Sequence, residues 1–266
     1  MYKRQTIESA YGNLRINAKY KGPYKPRKEY TAADYRNAEI SGDIVMIDAG
    51  CKIKNSTMSL DSVSGTFVIN NSDFVLNNIK GRALNSDFSF DGTLKNIVPF
   101  MLIDDEPLWV NANFNSNNLD LNSLLENKNE NSSEEYSVKL SERINADLNT
   151  KIGRLVFNKF EAKDISGRVF VKNKKLVADP LTFKAVDGEI EISGMMDATQ
   201  DGSLLITCDA SLKKLNINKL FYQCENFGQD VMVDDNLKGF ITSDIKFASV
   251  WSSALDVDLD KVYAYA

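Results

Sequence analysis

Residues 204–228 read LLITCDASLKKLNINKLFYQCENFG, and two different periods follow one another within them. Leu204, Ile206, Cys208, Ala210 and Leu212 alternate with Leu205, Thr207, Asp209 and Ser211. A period of two is that of a strand with one face buried. Ile217, Leu220, Phe221 and Cys224 then stand at i, i+3, i+4 and i+7, one stripe of a helix. Asn216 is placed to cap that helix at its start, and Gly228 to close it. The stretch predicts a long strand feeding a short amphipathic helix. Ile217, Leu220, Phe221 and Cys224 should pack on the sheet, with Lys219 and Gln223 in solvent.

The same unit occurs earlier. In residues 108–125, LWVNANFNSNNLDLNSLL, the positions Leu108, Val110, Ala112, Leu119, Leu121 and Leu124 answer to Leu204, Ile206, Cys208, Leu215, Ile217 and Leu220, always 96 residues apart. Upstream, Ser64-Gly65 answers to Ser166-Gly167, and residues 88–92 answer to 190–194, now 102 residues apart. The six-residue difference falls in the connection 95–107, which is longer in the first copy. A repeat of this size decides architecture ahead of any single motif. Residues 84–94 and 186–196 should therefore be equivalent strands, each reached through a glycine-containing strand, at Gly65 and Gly167.

Composition narrows the function. The chain has 266 residues, enough for a sizeable core, and a net charge of −5, which suggests neither nucleic acid as a partner nor an acidic tail. There is no histidine, so His-based triads and His acid–base chemistry are absent. The cysteines are Cys51, Cys208 and Cys224, too few and too scattered for a disulfide framework or a zinc knuckle. The latter two lie on apolar phases and read as small hydrophobes. No apolar run approaches the length of a membrane-spanning helix.

The remainder divides as follows. Residues 1–5, MYKRQ, resemble a translated sequencing adapter and stand apart from the fold. Residues 6–37 hold an incoming strand, with Leu14, Ile16 and Ala18 in phase, then the basic connection 19–28, KYKGPYKPRK. Its prolines and glycine favour a solvated link over a phosphate-binding patch. Thr31 and Asp34 suit a capped helical turn. Residues 38–135 form the first β unit, with strands expected at 44–47, 50–60, 65–70, 74–78, 84–94 and 108–115, closed by the polar loop 126–135. Residues 136–228 form the second unit. Residues 229–266 open a third, in which Gly239 stands where Gly65 and Gly167 stood.

The predicted fold is mainly β: a repetitive antiparallel sheet, curled as a half-pipe or groove, with a few short amphipathic helices. One face is apolar. Phe88, Phe90, Val110, Phe114, Ile190, Ile192, Ile206 and Ala210 should share it, and the opposite face carries Asp87, Asn111, Asn113, Glu189, Glu191 and Asp209. Reactive chemistry is sparse. Asp256, Asp258 and Asp260 alternate as in a calcium loop, but Lys261 occupies the place of its glycine, so a polar strand face is the better reading. Asp104-Asp105-Glu106 before Pro107 reads as a solvated turn. No catalytic constellation, metal site or cofactor is expected.

Residues 218–229, NKLFYQCENFGQ, followed by Leu237-Lys238-Gly239, resemble the C-terminal region of the AsmA family. The family pattern is a helix with LF, then NFGQ, then a strand opening LxG; the repeated strand–glycine–strand unit from Ala38 onward is also similar to it. The resemblance implies an envelope protein in the periplasm, held in the inner membrane by an N-terminal helix that this sequence lacks. It also implies kinship with TamB-like and chorein-type bridge-like lipid transporters, whose curled sheets carry phospholipid acyl chains. Three functions are then in play: a groove for phospholipid transport or outer-membrane biogenesis, with no enzymatic activity; a closed β-sandwich for structure or adhesion; and a β enzyme acting on carbohydrate, which would need two positioned carboxylates. The first is preferred.

Overall fold

The structure, a computed structural model, describes residues 7–21, 31–54, 58–126, 138–228 and 230–266. The expectations for residues 1–5, for most of the basic connection and for most of the polar loop lie outside these residues. Among the described residues thirteen strands form one sheet, hydrogen-bonded in chain order and not closed into a barrel. They are β1 (Ile7–Lys21), β2 (Glu39–Ile53), β3 (Ser59–Asn70), β4 (Asp73–Ala83), β5 (Ser86–Lys95), β6 (Leu108–Asp120), β7 (Ile144–Phe157), β8 (Phe160–Lys172), β9 (Lys175–Ala185), β10 (Gly188–Asp197), β11 (Ser203–Asn216), β12 (Phe240–Ser252) and β13 (Val257–Tyr265). Four short helices accompany them: α1 (Ala32–Arg36), α2 (Ile97–Leu102), α3 (Leu121–Leu125) and α4 (Ile217–Gln223). Tight turns join β3 to β4 and β8 to β9, where Asn71 and Asn173 accept left-handed backbone.

The repeat is visible in the element bounds. Strands β4 and β5 recur as β9 and β10 with every bound displaced by 102 residues. Helices α3 and α4 begin at Leu121 and Ile217, and the carboxamide or carboxylate of the preceding Asp120 or Asn216 caps each. Ser62, Asn71 and Leu84 are left-handed in the first copy, and Asp164, Asn173 and Val186 in the second. Gly65 and Gly167 have φ of 143° and 149°, and a Cβ there would meet the carbonyl oxygens of Asn78 and Pro180 at 2.7 and 1.9 Å. Only glycine permits that approach, so the phase of the pattern and its glycines share one origin.

The chain forms two compact units, Met1–Asn115 with Ser141–Leu148 and Ser116–Leu140 with Asn149–Ala266. In the first, Val63, Leu76 and Ile79 are buried, with Met46, Leu60, Phe67, Phe88, Phe90 and Leu94 packed around them. The longer connection of this unit holds α2. Its Ile97 and Pro99 are buried. Arg143 donates from Nε to the Glu106 carbonyl at 2.9 Å and from Nη2 to the Phe100 carbonyl at 2.6 Å, and lies over the Phe100 ring. Glu106, expected in a solvated turn, instead pairs with Arg36 and accepts from Asn96 Nδ2 at 2.9 Å. In the second unit Ala185, Val186, Ile190, Leu212 and Leu215 are buried, and Phe160, Phe183, Ile192, Ala210, Leu220, Ile241 and Ile245 pack against them.

Several boundaries differ from expectation for identifiable reasons. The strand expected over 50–60 is two strands, since β2 ends at Ile53 and β3 begins at Ser59. Leu84 and Val186 are turn residues, not strand starts: each flips to positive φ to close a hairpin. Helix α4 ends at Gln223 with Cys224 as its C-cap, well before Gly228, because Glu225, Asn226 and Phe227 take left-handed conformations themselves. Gly239 precedes β12, and a Cβ there would meet nothing within 4 Å, so it is not the counterpart of Gly65 and Gly167.

Candidate functional site

The apolar face of each unit is built from cross-strand rows. In the first unit Phe90 stands in register with Ile79 of β4 and Phe114 of β6, and Leu94 with Phe74 and Val110. The Phe90 ring lies 5.7 Å from Phe88 and 5.0 Å from Phe114, centroid to centroid, within the range of favourable aromatic pairs. In the second unit Ile190 stands between Phe183 and Leu212, and Ile192 between Leu181 and Ala210. Ile206 faces Met196 on one side and Ser249 on the other, further along the same strands. The structure thus gathers Phe88, Phe90 and Phe114 in one cluster and Ile190, Ile192 and Ala210 in another. Val110 and Ile206 belong to neighbouring rows.

The cover over these rows is thin. Of the eight side chains, Ile190 is buried, at 8 % exposure, and the other seven are half-buried. A seven-residue helix such as α4 is about 10 Å long, whereas a fourteen-residue strand such as β11 runs about 46 Å. Helices of five to seven residues cannot roof strands of this length. The apolar stripe of α4 shows the same limit: Leu220 packs against the buried cluster, but Ile217, Leu220, Phe221 and Cys224 are half-buried, not buried as the periodicity predicts. Two turns of helix bury only what lies directly beneath them. Lys219 is exposed and pairs with Asp187 at 2.7 Å, whereas Gln223 is half-buried, its Oε1 accepting from the Glu161 N–H at 3.3 Å.

Two carboxylates of the second unit are paired for structure. Arg154 and Lys163, at 2.8 and 3.1 Å, hold the Glu161 carboxyl down at about 2. Lys175, at 2.7 Å, and Thr199 hold Asp197 at about 2 as well. Both stay ionised at neutral pH, so neither is a proton donor there. Burial pushes the Cys224 thiol up to about 11 and the Cys208 thiol upward, which suppresses the thiolate that nucleophilic chemistry needs. Asp258 and Asp260 lie on β13, and Asp258 pairs with Lys261 at 2.8 Å. Among the described residues no three His, Cys, Asp or Glu side chains group as metal ligands would.

One group of residues has no place in the sequence reading. At the ends of β8–β12 the second unit brings Lys163, Lys184, Lys213, Lys214 and Lys219 around one recess. The available signal was Leu212-Lys213-Lys214-Leu215, where two buried leucines stand three apart instead of two.

No family model, curated protein or solved structure matches this chain.

Proposed function

We propose that the apolar faces of the two units contact phospholipid acyl chains, in an AsmA-like envelope protein that serves phospholipid transport or outer-membrane biogenesis. The observation that supports this reading is the half-buried state of seven apolar side chains, Phe88, Phe90, Val110 and Phe114 in the first unit and Ile192, Ile206 and Ala210 in the second. Rows of this length under helices of five to seven residues leave contiguous apolar surface that a ligand can cover. Burying a methylene contributes about 0.8 kcal/mol, so a lining of phenylalanine and isoleucine holds a chain without any polar ligand. That matches a protein whose strongly shifted carboxylates, Glu161 and Asp197, are tied up in ion pairs, and no catalytic step is assigned to it. Among the described residues no helix is long and apolar enough to cross a membrane. The periplasmic location and the inner-membrane anchor belong to the same proposal and rest on the AsmA resemblance, with the anchor supplied from outside these residues.

Photo-crosslinking residues placed at Phe90 and Ile192 in cells test the reading, with Asn113 and Asp209 as polar-face controls. Phospholipid adducts found by mass spectrometry at the first pair and not the second are the expected result. Equal labelling of both faces, or none on a folded protein, overturns it.

A further inference from the structure

The lysine-lined recess at the ends of β8–β12 has a volume of about 920 Å³. Five lysines border it; against them stand Glu161, Asp187 and Glu189 on its lining and Asp164 beside Lys184, leaving one positive charge in excess on a chain of net charge −5. The pairing leaves specific cations over. Lys163 is held by Glu161 at 3.1 Å, Lys219 by Asp187 at 2.7 Å, and Lys184 by Asp164 at 2.9 Å. Lys213 and Lys214 have no carboxylate within ion-pair distance among the described residues. Glu189 stands across from Lys213 in register, yet the two make no ion pair.

Local backbone geometry produces this arrangement. The β11–β12 register shifts between Leu212 and Leu215, so that Lys213 and Lys214 together oppose Thr242. This bulge keeps both leucines inside, at 8 % and 0 % exposure, and turns both lysines outward. A regular strand would send one of the lysines to the apolar side. Lys214 is left-handed, φ 53°, and its N–H donates to Thr242 Oγ1 at 3.0 Å. Gly188 makes room, since a Cβ there would lie 2.5 Å from the Lys213 carbonyl oxygen. Ala185 and Val186 form the floor of the recess and are themselves buried in the apolar cluster, so its exposed rim is polar and mostly lysine.

We infer that this recess binds a phosphate group, with Lys213 and Lys214 as its principal contacts. Lysine serves phosphate as a mobile point charge. The acyl-chain path proposed for the other face of the same strands favours the phosphate of a lipid headgroup, so the inference deepens that reading and rests on it; a free phosphate is the other source of the same chemistry.

The purified chain should float with phosphatidylcholine vesicles containing phosphatidic acid and bind pure phosphatidylcholine vesicles far less. Lys213→Gln with Lys214→Gln should weaken binding to the anionic vesicles about thirtyfold, and the double arginine variant should retain it. Because a paired substitution on a bulge can disturb folding, Glu189→Gln serves as the second variant: it removes an opposing charge and should tighten binding about threefold. Calorimetric titration with inorganic phosphate separates the sources. Lysine-dependent binding of inorganic phosphate without vesicle preference supports a free-phosphate site. Vesicle binding with negligible affinity for inorganic phosphate supports the headgroup. Unchanged binding in all variants overturns the site. Uptake of a neutral fluorescent diacylglycerol reports on the apolar face alone. Its absence with lysine-dependent phosphate binding intact would overturn the acyl-chain reading and leave the anion site standing.

Discussion

The two copies of the repeat share their strands and differ in what the strand ends carry. Where the second copy has Lys163, Lys213, Lys214 and Lys219, the first has Asp61, Asn117, Asn118 and Ser123 at matching positions; Lys184 is matched by Arg82. Lys214 is left-handed and Asn118 is not among the residues of positive φ. The apolar phase is thus held in both copies, while the polar rim varies. Burial constrains the first, because a side chain on the wrong face loses its whole transfer free energy, and leaves the second open to change. The first copy differs in another way: its connection between β5 and β6 holds α2, and two arginines tie that insertion down.

The sharpest way to break the comparison is through the leucine that begins each helix approach. Leu215 is fully buried, at 0 % exposure, whereas its counterpart Leu119 is half-buried. Leu215→Ala should cost about 3–4 kcal/mol and Leu119→Ala about 1–2 kcal/mol in urea denaturation. Equal losses would mean that the copies bury this position alike. Next in size is Arg143→Ala, which removes the donors to the Glu106 and Phe100 carbonyls and the cation over the Phe100 ring. A loss of about 2 kcal/mol is expected. Arg143→Lys should recover only part of it, since a single ammonium cannot span both carbonyls.

The smallest effect is one of pH. Lys175 and Asp197 pair across β9 and β10, whereas the matching residues of the first copy, Asp73 and Lys95, carry the charges in reverse order. Asp197 binds its proton less tightly in the folded state, at about 2, than when unfolded. Its contribution is therefore complete above the unfolded value of about 4 and is lost as pH falls toward about 2. The difference in urea midpoint between the wild type and Asp197→Asn should shrink across that window. A difference independent of pH would show that the asparagine disturbs something other than charge.

What could be read from the sequence follows the same division. Ile190, Ile192 and Ala210 were legible because alternation is imposed by burial, and the cap at Asn216 because it needs one side-chain oxygen at one position. The turn at Val186 was not, since a β-branched residue signals strand and adopts positive φ only where tertiary packing enforces it. The close of α4 was misplaced because glycine is the usual left-handed residue, and here Glu225, Asn226 and Phe227 take that role. The lysine recess was illegible for a different reason. Its members come from β8, β9, β11 and α4, and only the hydrogen-bond register of the sheet makes them neighbours.

The displacement between copies changes from 102 to 96 residues across the connection that holds α2, yet β6 and β11 resume with the same side chains inward. Loop length and strand phase are therefore inherited separately. A gene encoding such a unit can be duplicated, and its connections lengthened or trimmed, without recoding any strand. Each added set of five strands extends an open sheet by about 24 Å in the hydrogen-bonding direction. In a protein built this way, span is a matter of counting copies, and evolution can adjust it in whole steps.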